Sequence, residues 1–188
     1  MFVNAKHEQA IASWHTGKKE EALTLIREAL VEEPEQPSLL VEEGFILLDT
    51  GKKEDAIIVF QKICDLQPEN AYRYTCLGYA YQFAGKYKQA LAAYNQSIEM
   101  DFLDAIARYN SSLIPGNPEA EKQLFIAKAL FEEIDYVTGK MLSGKQPVNP
   151  LIVIREQQKA MLKFKELTKD GGKQLGEVLK QSGKNQIK

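Results

Sequence analysis

Cysteine is scarce in this 188-residue chain. Cys64 and Cys76 stand twelve positions apart and form no CxxC pair, which excludes a disulfide framework and a zinc ribbon and points to a reduced, cytoplasmic setting with both thiols as packing residues. Histidine occurs twice, at His7 and His15, with no HExxH pattern and no carboxylate at ligand spacing. A zinc site is therefore not expected, and both rings read as solvated or groove-lining. Long apolar runs are missing as well. None approaches the roughly 18–20 residues of a membrane-spanning helix. The opening "MFVNAKHEQA" has no basic segment followed by an apolar core, so no leader and no transmembrane segment are expected.

Catalytic signatures are equally thin. No GxSxG elbow occurs, and neither cysteine has a recognisable activating histidine. The acid pairs Glu20-Glu21, Glu32-Glu33, Glu42-Glu43 and Glu132-Glu133 fall in helical stretches, where a solvated face accounts for them. "GKMLSGKQ" at 139–146 fits the first part of a phosphate-binding loop, but Gln146 takes the place of the magnesium-binding hydroxyl and Pro147 stops a following helix. It reads as an interhelix loop. The sequence thus predicts no enzyme and no cofactor.

What the chain does have is a period. "GKKEEA" at 17–22, "GKKEDA" at 51–56 and "GKYKQA" at 85–90 are spaced by 34 residues. Ala10, Gly44 and Gly78 keep the same interval, as do Ala22, Ala56 and Ala90, and Pro34 and Pro68, with Phe102 where a third proline would fall. A fixed period of this size marks a helical repeat array. In "LVEEGFILLDTGKKEDAIIVFQKICDLQPEN" apolar residues recur at helical spacing on both sides of Gly51, predicting two helices broken by a tight turn. Glycine suits that turn because it takes the left-handed conformation at little cost. Gly44 and Ala56, one from each helix, are expected to let the two backbones approach closely. Pro68 ends the second helix.

With these residues in place the chain resembles the tetratricopeptide repeat family. Tyr74-x2-Leu77-Gly78-x2-Tyr81 followed by Ala90-x3-Tyr94 stands for the family's W-x2-L-G-x2-Y…A-x3-F pattern. The second unit offers Leu40, Gly44, Leu47, Ala56, Phe60 and Pro68, and the first Ala10, Ala22, Ile26, Ala29 and Pro34. The resemblance implies an all-α fold, a right-handed superhelical array of antiparallel helix pairs. Residues 3–104 would form three 34-residue units. The phase is lost beyond 104, where 105–140 reads as a degenerate fourth hairpin with a shortened first helix, Asn117 capping its second helix ahead of Pro118. A linker at 141–149, a C-terminal capping helix at 150–170 burying Ile152, Ile154, Met161, Leu162 and Phe164, and a basic, flexible tail at 171–188 would complete the chain.

In this family the first helix of each pair lines a concave face. Carried onto this sequence, the inward positions are Asn4, His7, Ile11, Trp14 and His15, then Ser38, Val41, Phe45, Leu48 and Asp49, then Tyr72, Thr75, Tyr79, Gln82 and Phe83. The Lys, Asn and Arg clamp by which some members grip a chaperone's carboxylate end is replaced here by His7, Ile11, Glu42, Tyr72 and Cys76, so that function is not expected. Ile11, Trp14, Phe45, Leu48, Tyr72, Tyr79 and Phe83 are instead apolar or aromatic, and a contiguous exposed patch of that kind marks a binding surface. The implied partner is a peptide or helix segment of another protein, the chain acting as an adaptor or dedicated chaperone. A charge at Tyr79 is expected to spare the fold and abolish binding. "AGKYKQALAAYNQSIEMD" is also similar to the last repeat of type III secretion chaperones. Charge supports a different reading. Residues 151–188 carry nine Lys or Arg against four acids, while 1–150 carry fifteen against twenty-two. That basic segment makes association with nucleic acid or an anionic membrane surface the alternative, although its single aromatic, Phe164, gives no stacking platform. The sequence leaves self-association open.

Overall fold

The structure, a computed structural model, describes residues 5–134, 147–153 and 155, with backbone alone at 129 and 131–134. Eight helices lie among the described residues: α1 (Ala5–His15), α2 (Lys19–Glu32), α3 (Pro37–Asp49), α4 (Lys53–Leu66), α5 (Ala71–Phe83), α6 (Tyr87–Met100), α7 (Ala105–Ser112) and α8 (Ala120–Ile134). The chain divides into two compact units, 1–150 and 151–188. All eight helices belong to the first. Of the second, residues 151–153 and 155 are helical. Ile152 is 45% exposed, against the expectation that it is buried. Ile154, Met161, Leu162, Phe164, the 171–188 tail and the loop at 139–146 lie outside the described residues.

The 34-residue period is a period of helix boundaries. α2, α4 and α6 begin at Lys19, Lys53 and Tyr87, and α3, α5 and α7 at Pro37, Ala71 and Ala105. Each hairpin turn is built alike. Gly17, Gly51 and Gly85 have φ of +82, +80 and +76°. In each turn the glycine N–H donates back three residues (Gly51 to the Leu48 carbonyl, 3.0 Å) and the next lysine N–H five residues (Lys52 to Leu47, 2.9 Å). This pair of bonds satisfies the last carbonyls of the first helix and requires a left-handed residue between them.

Gly44 and Gly78 make room for aromatic rings. A Cβ built on Gly44 would stand 2.5 Å from Cζ of Phe60, and one on Gly78 would stand 2.6 Å from Cδ1 of Tyr94. The ring of the second helix lies flat on the bare backbone of the first, and both rings are buried. Ala10 and Ile26 hold the corresponding positions of the repeat in unit one, and both are fully buried. Ala22, Ala56 and Ala90 are fully buried as well.

The phase is kept at the start of the fourth unit and lost inside it. α7 begins in register but has eight residues, where α3 and α5 have thirteen. Ser111 and Ser112 turn their hydroxyls onto the carbonyls of Arg108 (2.8 Å) and Tyr109 (2.6 Å), competing with helix bonding. Pro115 has no N–H to return to the Ser111 carbonyl, which accepts the Ile114 N–H at 3.1 Å and the Asn117 side-chain amide at 2.8 Å. Gly116 then supplies a fourth positive φ, +75°. The regular part of α8 begins at Ala120, and the turn ahead of it is closed by Asn117, whose Oδ1 accepts the Glu119 N–H at 3.0 Å and whose carbonyl accepts the Ala120 N–H at 3.2 Å, the bonds of a cap with Pro118 in the first position.

Candidate partner-binding face

Successive first helices touch along one wall. Phe45 of α3 meets Tyr79 of α5 at 5.9 Å between ring centres, and Tyr79 meets Phe83 at 5.3 Å. Phe45 also packs edge-on against Phe60 at 5.1 Å. The four rings form a ladder that starts in the core and ends at the surface. Its inner members, Phe60, Phe45 and Tyr79, are not available to a partner, and neither is Leu48: all four are buried. The expectation of one exposed aromatic patch is therefore corrected. α3 is apolar from Leu39 to Leu48 apart from Glu42, Glu43 and Gly44, and it is buried on every side. Ile11, Trp14 and Tyr72 are half-buried, and Phe83 is 44% exposed. Asn4 lies outside the described residues.

Polar groups on this wall are used to join unit one to unit two. His7 Nε2 lies 2.5 Å from Glu42 Oε2, and Trp14 Nε1 donates to Asp49 Oδ2 at 2.7 Å. Each pair is 35 residues apart, one repeat plus one position. Arg27 of α2 donates to Glu43 at 2.8 Å. Glu42 and Glu43 are consequently buried and partnered, not members of a solvated face, because α3 is enclosed and each buried acid needs a hydrogen-bonding partner beside it. His7 likewise has the carboxylate partner that a linear reading could not see.

An accessible aromatic concavity lies where the hairpin turns of units two, three and four line up. A cleft of about 300 Å³ is lined by Lys53, Gln82, Phe83, Tyr87, Leu113, Pro115 and Pro147. Tyr87 is 43% exposed. The Lys53 ammonium stands 5.9 Å from the centre of the Phe83 ring, giving the cleft a cationic edge on an aromatic floor. Only Phe83 and Gln82 of these were anticipated. Tyr87 was hidden because it occupies the turn motif, where Lys19 and Lys53 stand in the other units. Leu113, Pro115 and Pro147 belong to segments without repeat phase.

Behind the cleft lies a buried polar system. Tyr94 donates to Gln82 Oε1 at 2.8 Å, and Gln82 Nε2 donates to the Asn110 carbonyl at 3.3 Å. Thr75 and Ser97 both hydrogen-bond Asp104 Oδ2, at 2.5 and 2.7 Å, and Asp104 Oδ1 accepts the Ala107 N–H at 2.9 Å as the cap of α7. A carboxylate at a helix start is favoured by the exposed N–H groups there. Burial pushes the Tyr79 phenol up to about 12, with the Asp49 charge adding to it, and raises Tyr94 well above its ordinary value. Burial also pushes the Cys64 thiol up to about 12 and raises Cys76 further, so neither is an activated nucleophile.

Comparison with known proteins bears on this architecture. One tetratricopeptide repeat family model matches residues 7–71 and a second matches residues 72–102. No curated protein matches the chain. Among solved structures, MamA 41-end from Desulfovibrio magneticus RS-1 superposes with a TM-score of 0.61 at 18% identity, covering 69% of this chain and 76% of that one. TTC0263, a thermophilic TPR protein in Thermus thermophilus, gives 0.58 at 22% identity, covering 68% and 73%. At such identities the likeness is one of fold. No helix among the described residues is long and apolar enough to cross a membrane. The two family matches together span just over half of the chain, and with the in-phase hairpins, the glycine turns and the ring-on-glycine packing they place it in the tetratricopeptide repeat family of all-α superhelical arrays that serve as protein–protein interaction modules.

Proposed function

We propose that this chain binds an apolar segment of another protein along the wall of first helices, as an adaptor or dedicated chaperone, with Phe83 and Tyr87 as its principal anchors. The observation that carries this reading is the 300 Å³ cleft with two large aromatic rings open to water on a floor that the buried ladder holds rigid. Rigid aromatic groups beside a concavity bind at low entropic cost, because few rotamers are frozen on contact. Ile11, Trp14 and Tyr72, half-buried along the same wall, would extend the contact toward unit one, whereas Phe45, Leu48 and Tyr79 would act from beneath by fixing the ring positions.

Partner capture from extracts of the native host with the wild type and Phe83→Glu tests this reading. The expected result is a protein retained by the wild type, lost with the variant, and insensitive to added salt. Capture unchanged in the variant but abolished by salt would transfer the activity to the basic segment, since counterion release makes such binding salt-dependent.

A further inference from the structure

Asn110 is fully buried on α7, and its side-chain amide, which also hydrogen-bonds the Tyr94 hydroxyl, holds the main chain of one distant residue. Nδ2 donates to the Val148 carbonyl at 2.8 Å, and Oδ1 accepts the Val148 N–H at 2.7 Å. The pairing copies a rung between two strands, with a side chain in place of one of them. Val148 is itself buried, as is Pro150. Residues 147–149 have no secondary structure, so the described end of the linker expected at 141–149 is a strap held at Val148.

A buried amide left unpaired is costly, and the Val148 main chain meets both polar groups of the Asn110 side chain at once. We infer that α7 carries a binding site for an extended peptide segment with a branched apolar residue next to proline, and that this chain fills the site with its own residues 147–150. Asn110 reads main chain whatever the sequence, and the pocket around Val148 supplies the selectivity. Pro147 is also a wall of the cleft beside Phe83 and Leu113, so the strap and the cleft form one track. A partner segment that enters the cleft gains the α7 site only by displacing the strap. This rests on the partner-binding reading above, but the test uses the chain's own segment as its probe, so failure here leaves that reading standing.

The probe is a fluorescent synthetic peptide of residues 144–152, GKQPVNPLI, titrated against the full chain. Val148→Asp puts a charge where an apolar side chain is buried and frees the site. Its affinity for the peptide should exceed the wild type's by at least about tenfold, since an occupied site lowers apparent affinity in proportion to the fraction free. Adding Asn110→Ala to Val148→Asp should remove the gain. If Val148→Asp melts far below the wild type, Val148→Gly replaces it with the same expectation. Slow hydrogen exchange at the Val148 amide in the wild type, lost in Asn110→Ala, reports the strap directly. Equal peptide affinity in wild type and freed variant, indifference to Asn110→Ala, or fast exchange at Val148 in the wild type would each overturn the inference.

Discussion

Gly44 and Gly78 lie beneath aromatic rings with no room for a methyl group, which makes each a sharp test of the packing. Gly44→Ala should cost about 1–3 kcal/mol in urea unfolding, as overpacking does elsewhere. Phe60→Leu in the same background should return part of that loss, a coupling that two independent sites would not show. The buried and exposed ends of the ring ladder should part company. Tyr79→Glu buries a charge and should destabilise by more than about 2 kcal/mol, while Phe83→Glu should stay within about 0.5 kcal/mol of the wild type. Alkaline pH acts on the same ring. The Tyr79 phenol titrates at about 12 in the folded chain because it is buried, against about 10 when unfolded. The folded state thus holds the proton more tightly, so the contribution of this group is intact below about pH 10 and is lost as pH rises toward 12. Urea midpoints should fall over that window, and Tyr79→Phe should flatten the fall.

At the scale of the element, the six-letter turn is legible almost in full from the sequence, because glycine's conformational freedom and the 34-residue period are both local or periodic facts. Gly51→Ala places a Cβ at φ +80° and should cost about 1–2 kcal/mol. The lysine and acid in the motif have a use that periodicity alone does not show. Lys52 reaches Glu20 at 2.9 Å and Lys86 reaches Glu54 at 2.5 Å, each bridging back one unit. The ladder ends there, since Lys88 stands where Glu20 and Glu54 stand in the earlier turns. Both pairs are exposed, so Lys86→Gln should shift stability by less than about 1 kcal/mol and the shift should shrink in salt. What periodicity hid is of a different kind. The roles of Glu42, Glu43 and His7 depend on which face of α3 another unit covers, and the shortening of α7 depends on two serines and a proline that carry no repeat signal. The Asn110–Val148 pairing joins residues 38 positions apart in a stretch with no period at all.

For the molecule, repetition makes stability a sum of hairpins and their interfaces, each hairpin depending on its neighbours. Units two and three hold the ring ladder and the buried Tyr94–Gln82 bond behind the cleft, so their amides should exchange slowest and those of α1 fastest. That places the candidate binding edge on the firmest part of the array, which suits recognition by preformed anchors. The fold class followed from the repeat, but the location of the accessible aromatics did not. Apolar residues at inward positions are equally consistent with a groove and with a core, and in this chain Phe45, Leu48 and Tyr79 belong to the core.

Site-specific photo-crosslinking gives the most direct measurement of partner binding. A benzoyl-phenylalanine placed at Phe83, and separately at the exposed Val31 of α2, would be irradiated in the full chain in host extract. A discrete protein adduct from position 83 that is missing from position 31 is the expected result. Adducts that are the same from both positions, or present only from position 31, would contradict a binding edge at the Phe83–Tyr87 cleft.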